Sequence, residues 1–156
     1  MRRRIALLLA LAALPFTRAH GAAQPKAGVV NAEEGLGIAG YDPVAYFTET
    51  RAVPGKADIA ALHGGITYRF ASETNRAAFL AEPARYLPQY GGYCAYGMAR
   101  GYKAVVDPTA FTVAGGKLYL NYNHAISSQW QGNRAREIQR ADAQWPKVMH
   151  SPEVAR

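Results

Sequence analysis

The chain has a single cysteine, Cys94, in the segment GGYCAYGMARG (Gly91–Gly101), and this residue offers the widest range of chemistry. Met98 adds a thioether four residues later, and His63 and His124 add imidazoles. Copper(I) binds thiolate, thioether and imidazole ligands at low coordination number. Cys94, Met98, His63 and His124 are therefore the candidate metal ligands, and copper is the candidate metal.

Thiol redox chemistry is a second possibility for Cys94, which is then the candidate catalytic residue. Backbone N–H groups in a glycine-rich loop can approach a sulfur and favour its thiolate, and Arg100 or Lys103 can add positive charge. This hypothesis predicts a partly accessible thiol whose pKa is depressed. Because the chain has no second cysteine, any redox cycle requires an external thiol as partner.

Two interpretations without reactivity remain open. Cys94 can be a small buried hydrophobic residue, since its neighbours are aromatic. The nearby tyrosines can also line a pocket in a non-catalytic module that binds a ligand or another protein. Five of the ten tyrosines surround the cysteine in the sequence: Tyr86, Tyr90, Tyr93, Tyr96 and Tyr102.

The elements that must position these residues are short and mixed in type. Ile66–Phe70 alternates and is rich in β-formers, which predicts a strand, and Ser72 is placed to cap a following helix. Gly115-Gly116 between two apolar runs predicts a β-hairpin. Lys103–Val106 is a further candidate strand, and residues 124–145 are predicted to be helical with a break at Gly132-Asn133.

These patterns predict an α+β fold, with a small antiparallel sheet and a β-hairpin packed against several short helices. The predicted core includes Tyr68, Phe70, Phe79 and Leu118. The predicted organisation is a signal peptide at residues 1–23, a flexible leader at 24–37, one domain at 38–148 and a C-terminal tail at 149–156.

The first 23 residues have the layout of a secretory signal peptide. Arg2, Arg3 and Arg4 precede an apolar run that is too short to span a bilayer, and small residues follow at Gly21-Ala22-Ala23. We therefore expect export to the periplasm without a stable membrane anchor. Removing this segment lowers the net charge from +7 to +3, which does not favour nucleic acid as a partner.

Four motifs together resemble the secreted, single-domain branch of the YHS-domain family: GYDPVAYF, ITYRFASETNRAAFLAEPARYLPQYGGYCAYG, KLYLNYN and ADAQWP. The resemblance covers residues 40–146 and implies metal handling. In the metal-binding relatives, cysteines stand at positions that match Ala45, Ala71 and Asn75 here. The resemblance thus implies that this chain keeps the scaffold of the family but lacks three of the cysteine ligands that the metal-binding relatives carry.

The sequence favours metal handling or thiol redox chemistry at Cys94, with a metal ion, an external thiol or another envelope protein as partner. The alternative is a binding module in which Cys94 is core packing.

Export predicts that the mature protein begins at or near Gln24 and is recovered in the envelope fraction. Intact-mass measurement on protein purified from its host checks this expectation. Recovery of an uncleaved chain in the membrane fraction would contradict both export and the oxidising compartment.

Overall fold

A computed structural model describes residues 28–156, so the predicted signal peptide lies outside the described residues. The described part of the chain forms six strands: β1 (Ala32–Glu33), β2 (Leu36–Gly37), β3 (Lys56–His63), β4 (Ile66–Phe70), β5 (Asp107–Ala114) and β6 (Lys117–Asn121). It also forms six α-helices: α1 (Ala45–Thr48), α2 (Glu73–Ala81), α3 (Pro83–Tyr86), α4 (Ala95–Met98), α5 (His124–Gln131) and α6 (Arg134–Val148). Within these residues, no helix has the length and apolar character needed to cross a membrane.

The α+β class is confirmed, with two separate sheets. One has four strands in the order β1-β2-β4-β3, and the other is the antiparallel hairpin β5-β6. The sequence predicts an antiparallel sheet. The larger sheet is mixed instead, because β2 pairs parallel to β4 through Leu36 and Thr67. The parallel strand, β2, lies within residues 24–37, for which the sequence predicts a flexible leader. In the structure, this segment pairs with the sheet, and the Asn31 N–H donates to the Gly91 carbonyl at 2.8 Å.

Several local predictions are confirmed. Ile66–Phe70 is a strand, and the Ser72 hydroxyl caps α2 by accepting the Asn75 N–H at 3.1 Å. Gly115 and Gly116 connect β5 to β6 with φ of 57° and 70°, as a tight hairpin turn requires. Residues 103–106 do not form the strand that the sequence predicts. Among them, only Ala104 makes a β-bridge, an isolated one to Ala155.

Strand β6 is buried on both faces and separates two hydrophobic clusters. Leu118 and Leu120 pack into a cluster with Phe70 and Phe79, whereas Tyr119 packs into a second cluster with Trp130. Successive side chains of a strand point to opposite faces, so one strand can serve both clusters. The predicted core residues Tyr68, Phe70, Phe79 and Leu118 are all buried.

The first cluster is organised around the buried carboxylate of Asp42. One oxygen accepts the backbone N–H groups of Val44 and Ala45 at 2.8 and 3.3 Å. The other accepts the Ala71 N–H at 2.8 Å and the Asn75 side-chain amide at 2.7 Å. This single side chain joins the start of α1, the end of β4 and the first turn of α2.

Asp42→Ala is expected to lower the free energy of unfolding by about 3–5 kcal/mol, because it leaves four buried or half-buried N–H donors without their acceptor. Asp58→Ala, which removes an exposed carboxylate from β3, is the matched control and should change stability by less than about 0.5 kcal/mol. Urea titration of both variants measures the difference. Equal stabilities would show that the Asp42 carboxylate does not hold these segments together.

Candidate functional site: a tyrosine-lined pocket at Cys94

Cys94 is the cap residue at the start of α4, and its thiol is almost completely buried, with 2% of the residue exposed. Its backbone N–H donates to the Ala104 carbonyl at 3.0 Å. Its sulfur lies 3.5 Å from the Gly97 backbone nitrogen, which donates to it. The partial accessibility predicted for Cys94 is therefore wrong in this structure.

Asn121, the last residue of β6, determines the hydrogen bonding of the thiol. Its Oδ1 accepts the Tyr96 backbone N–H at 3.0 Å and lies 3.5 Å from the Cys94 sulfur. Reversing the amide would set its NH₂ group against the Tyr96 N–H, donor against donor, so the orientation of the carboxamide is fixed. An oxygen acceptor that faces the sulfur favours the neutral thiol, which can donate its S–H, over the thiolate.

Burial raises the pKa of the Cys94 thiol, and this is the largest influence on it. Backbone N–H groups of Gly97, Tyr122 and Tyr96, together with the charge of Arg100, act in the opposite direction without reversing the shift. The predicted depression of the pKa is thus wrong. The expected loop N–H groups are present, but the removal of the sulfur from water outweighs them.

The glycines near Cys94 serve close packing. A side chain at Gly91 would collide with the Val29 carbonyl oxygen, and a Cβ at Gly97 would lie 2.9 Å from a ring carbon of Tyr102. Both contacts bring other parts of the chain against the cysteine segment. At these two positions, the absence of a Cβ allows the close contacts.

A pocket of about 190 Å³ lies beside the sulfur, and Cys94 is part of its wall. Three tyrosines contribute to the lining, Tyr96, Tyr102 and Tyr122, and Tyr102 and Tyr122 are each more than 40% exposed. Ile126 of α5 adds an aliphatic surface. Sequence reasoning found Tyr96 and Tyr102 but missed Tyr122, which is 28 positions from Cys94 in the chain and carries no local signal.

Two arginines, Arg100 and Arg156, lie at or near the pocket, and the charge of Arg100 is balanced by Glu137. Arg100 covers one face of Tyr96, with its guanidinium carbon 3.3 Å from the ring centroid, and forms an ion pair with Glu137 at 2.8 Å. Arg156 contributes to the lining. No acidic side chain is among the lining residues of the described chain.

The other candidate metal ligands occupy separate environments. Met98 is fully buried in the second cluster with Tyr119 and Trp130. His63 packs its ring against Phe79, and His124 lies with its Nε2 2.9 Å from the Thr109 hydroxyl. Within residues 28–156, no three His, Cys, Asp or Glu side chains are grouped so that they could hold a metal ion.

The structure does bring together the three positions where the resembled metal-binding domains carry cysteine. The backbone N–H groups of Ala45 and Ala71 and the side-chain amide of Asn75 all donate to the Asp42 carboxylate. The residues present offer no soft ligand there. Hydrogen bonds to one carboxylate connect these segments.

Comparisons with known proteins give no match. No family model, curated protein or solved structure is significantly similar to this chain.

The geometry predicts that the thiol pKa of the native protein lies above the free-cysteine value of about 8.5. Asn121→Asp should raise it further, because a carboxylate beside the sulfur disfavours a second negative charge. Asn133→Asp adds the same charge at an exposed position and should leave the thiol pKa near that of the wild type. Thiolate absorbance against pH, with Cys94→Ser as the blank, measures all three, and a wild-type pKa below about 8.5 would contradict the assignment.

Proposed function

We propose that this chain is a binding module whose ligand site is the tyrosine-lined pocket at Cys94. The observation that carries the proposal is an open pocket that is lined by three tyrosines and a buried cysteine. Pockets of this kind bind through apolar and aromatic walls, with a few polar groups that orient the ligand. In this role, Cys94 provides a polarisable wall and does not act as a nucleophile.

The ligand that best suits the pocket is a small aromatic molecule, neutral or anionic. An apolar protein cavity of about 150 Å³ can hold benzene, so about 190 Å³ accommodates one substituted ring. Tyrosine walls favour a flat partner through stacked or edge-on contacts. Arg156 and the absence of acidic lining residues among those described favour a carboxylate over an ammonium substituent.

Metal handling and thiol redox chemistry, which the sequence favoured, stay predictions. One observation supports thiol chemistry as the second candidate function: the Gly97 backbone N–H donates to the sulfur and would stabilise a thiolate once it formed. The titration of Cys94 described above separates the two functions. A depressed pKa would favour thiol chemistry, and a raised one favours the neutral wall.

We also propose export to the periplasm and kinship with the YHS-domain family. Residues 1–23 support export by their composition. The convergence of Ala45, Ala71 and Asn75 on Asp42 supports the kinship, because a shared ligand site would require these positions to be neighbours.

Ring-sized probes of different charge test the binding proposal. Benzoate and phenol should bind saturably in the millimolar range, as expected for ligands this small, and benzylammonium should bind more weakly. Binding is measured from NMR shifts of Tyr96, Tyr102 and Tyr122. Ile126→Trp fills the pocket and should abolish these shifts, whereas Gln129→Trp, at an exposed position of α5, should preserve them.

Two results would contradict the proposal. One is the absence of saturable shifts at the three tyrosines with all three probes. The other is binding that persists unchanged in Ile126→Trp, which would place the probes elsewhere on the protein.

A further inference from the structure

The segment Ser151–Arg156 contributes a wall to the pocket at Cys94 through its last two residues, Ala155 and Arg156. It lies alongside Lys103–Val105: the Val105 N–H donates to the Ala155 carbonyl at 3.0 Å, and the Ala155 N–H donates to the Lys103 carbonyl at 2.9 Å. These bonds create the parallel bridge between Ala104 and Ala155. Ala155 and Arg156 thereby come to line the pocket.

The same residue, Ala104, connects this wall to the cysteine. Its carbonyl accepts the Cys94 N–H at 3.0 Å, and its two chain neighbours bond to Ala155. Cys94 and the segment Ser151–Arg156 therefore both attach to residues 103–105. Detaching the segment would remove a wall of the pocket while the backbone bond between Cys94 and Ala104 remained in place.

The Lys103 side chain provides the remaining attachment. Only 2% of this residue is exposed, and its Nζ donates to the carbonyls of Ser151 and Gly28. Nζ also lies 5.2 Å from the centre of the Tyr93 ring. Among the ion pairs of residues 28–156, none involves this ammonium, and burial lowers the pKa of Lys103.

Apolar packing contributes little to holding the segment. Pro152, Glu153, Ala155 and Arg156 are exposed, and Ser151 and Val154 are only half-buried. Segments with few buried apolar contacts open at a lower free energy than the core does. The attachment thus depends mainly on two backbone hydrogen bonds and the buried ammonium.

We propose that Ser151–Arg156 is a detachable strap that controls access to the pocket and to Cys94. The purpose of this control rests on the proposed function, since a strap regulates ligand entry only if the pocket binds a ligand. The opening of the strap can be tested independently of that function. Cys94 is the only cysteine, so its rate of alkylation reports directly on its exposure. When the strap is in place, Cys94 is almost completely buried in the wall of the pocket. When the strap is detached, a reagent meets a site without that wall.

The experiment compares rates of Cys94 alkylation by iodoacetamide, a small uncharged reagent, in the full-length protein at one pH. Ala155→Pro removes the N–H that donates to Lys103 and should raise the rate about tenfold, because losing the bridge favours opening. Val154→Pro is the matched control: the Val154 N–H has no hydrogen-bond partner among the described residues, so the rate should stay within about twofold. Lys103→Met, which keeps the length of the side chain but removes its donors, should act like Ala155→Pro.

Amide hydrogen exchange at Leu120, in the buried strand β6, separates detachment of the strap from unfolding. The proposal predicts faster alkylation in Ala155→Pro with unchanged exchange at Leu120. Equal alkylation rates in Ala155→Pro and Val154→Pro would overturn it, as would an equal acceleration of alkylation and Leu120 exchange. If the strap variants behave as expected but no ring probe binds, the binding proposal fails and the strap stands; if the probes bind but the rates are equal, only the strap fails.

Discussion

The fold depends on one buried carboxylate. Asp42 gathers four N–H donors from three segments, and the farthest donor, Asn75, is 33 residues from Asp42 in the chain. A buried carboxylate is costly unless it is fully hydrogen-bonded, and here both oxygens have two donors each. The side chain therefore determines how α1 and α2 meet the end of β4. Phe70, at the end of β4, and Phe79, in α2, pack against each other with their ring centres 5.2 Å apart.

A neutral amide performs a similar task in the other half of the domain. Asn121 connects the end of β6 to the first residues of α4 through the Tyr96 N–H and the Cys94 thiol. Because β6 contributes Leu118 and Leu120 to one cluster and Tyr119 to the other, the two halves meet along a single strand. The position of the thiol is thus coupled to the same strand that completes the core around Asp42. The Nδ2 atom of Asn121 is buried and has no hydrogen-bond partner among the described residues.

The sequence predicted what short-range chemistry determines. Ser72 and the pair Gly115-Gly116 determine the backbone of residues next to them in the chain, so the start of α2 and the hairpin turn could be predicted from the sequence. The candidate site was only partly predictable because its partners are remote. Asn121 is 27 residues from Cys94, and neither residue type nor spacing indicates that its oxygen faces the sulfur. The raised pKa follows from burial that only the assembled tertiary structure provides.

The presence of a thiol at position 94 follows from two demands on one side chain. Asn121 Oδ1 accepts a hydrogen bond there, so alanine would leave that oxygen with only the Tyr96 N–H. Most of the pocket wall is aromatic or aliphatic, so a hydroxyl would place a more strongly hydrated group against it. A thiol is a weak donor that otherwise behaves as a small hydrophobic group, and it meets both demands. Its reactivity is restrained by burial and by the facing oxygen, and the strap residues Ala155 and Arg156 complete the wall beside it.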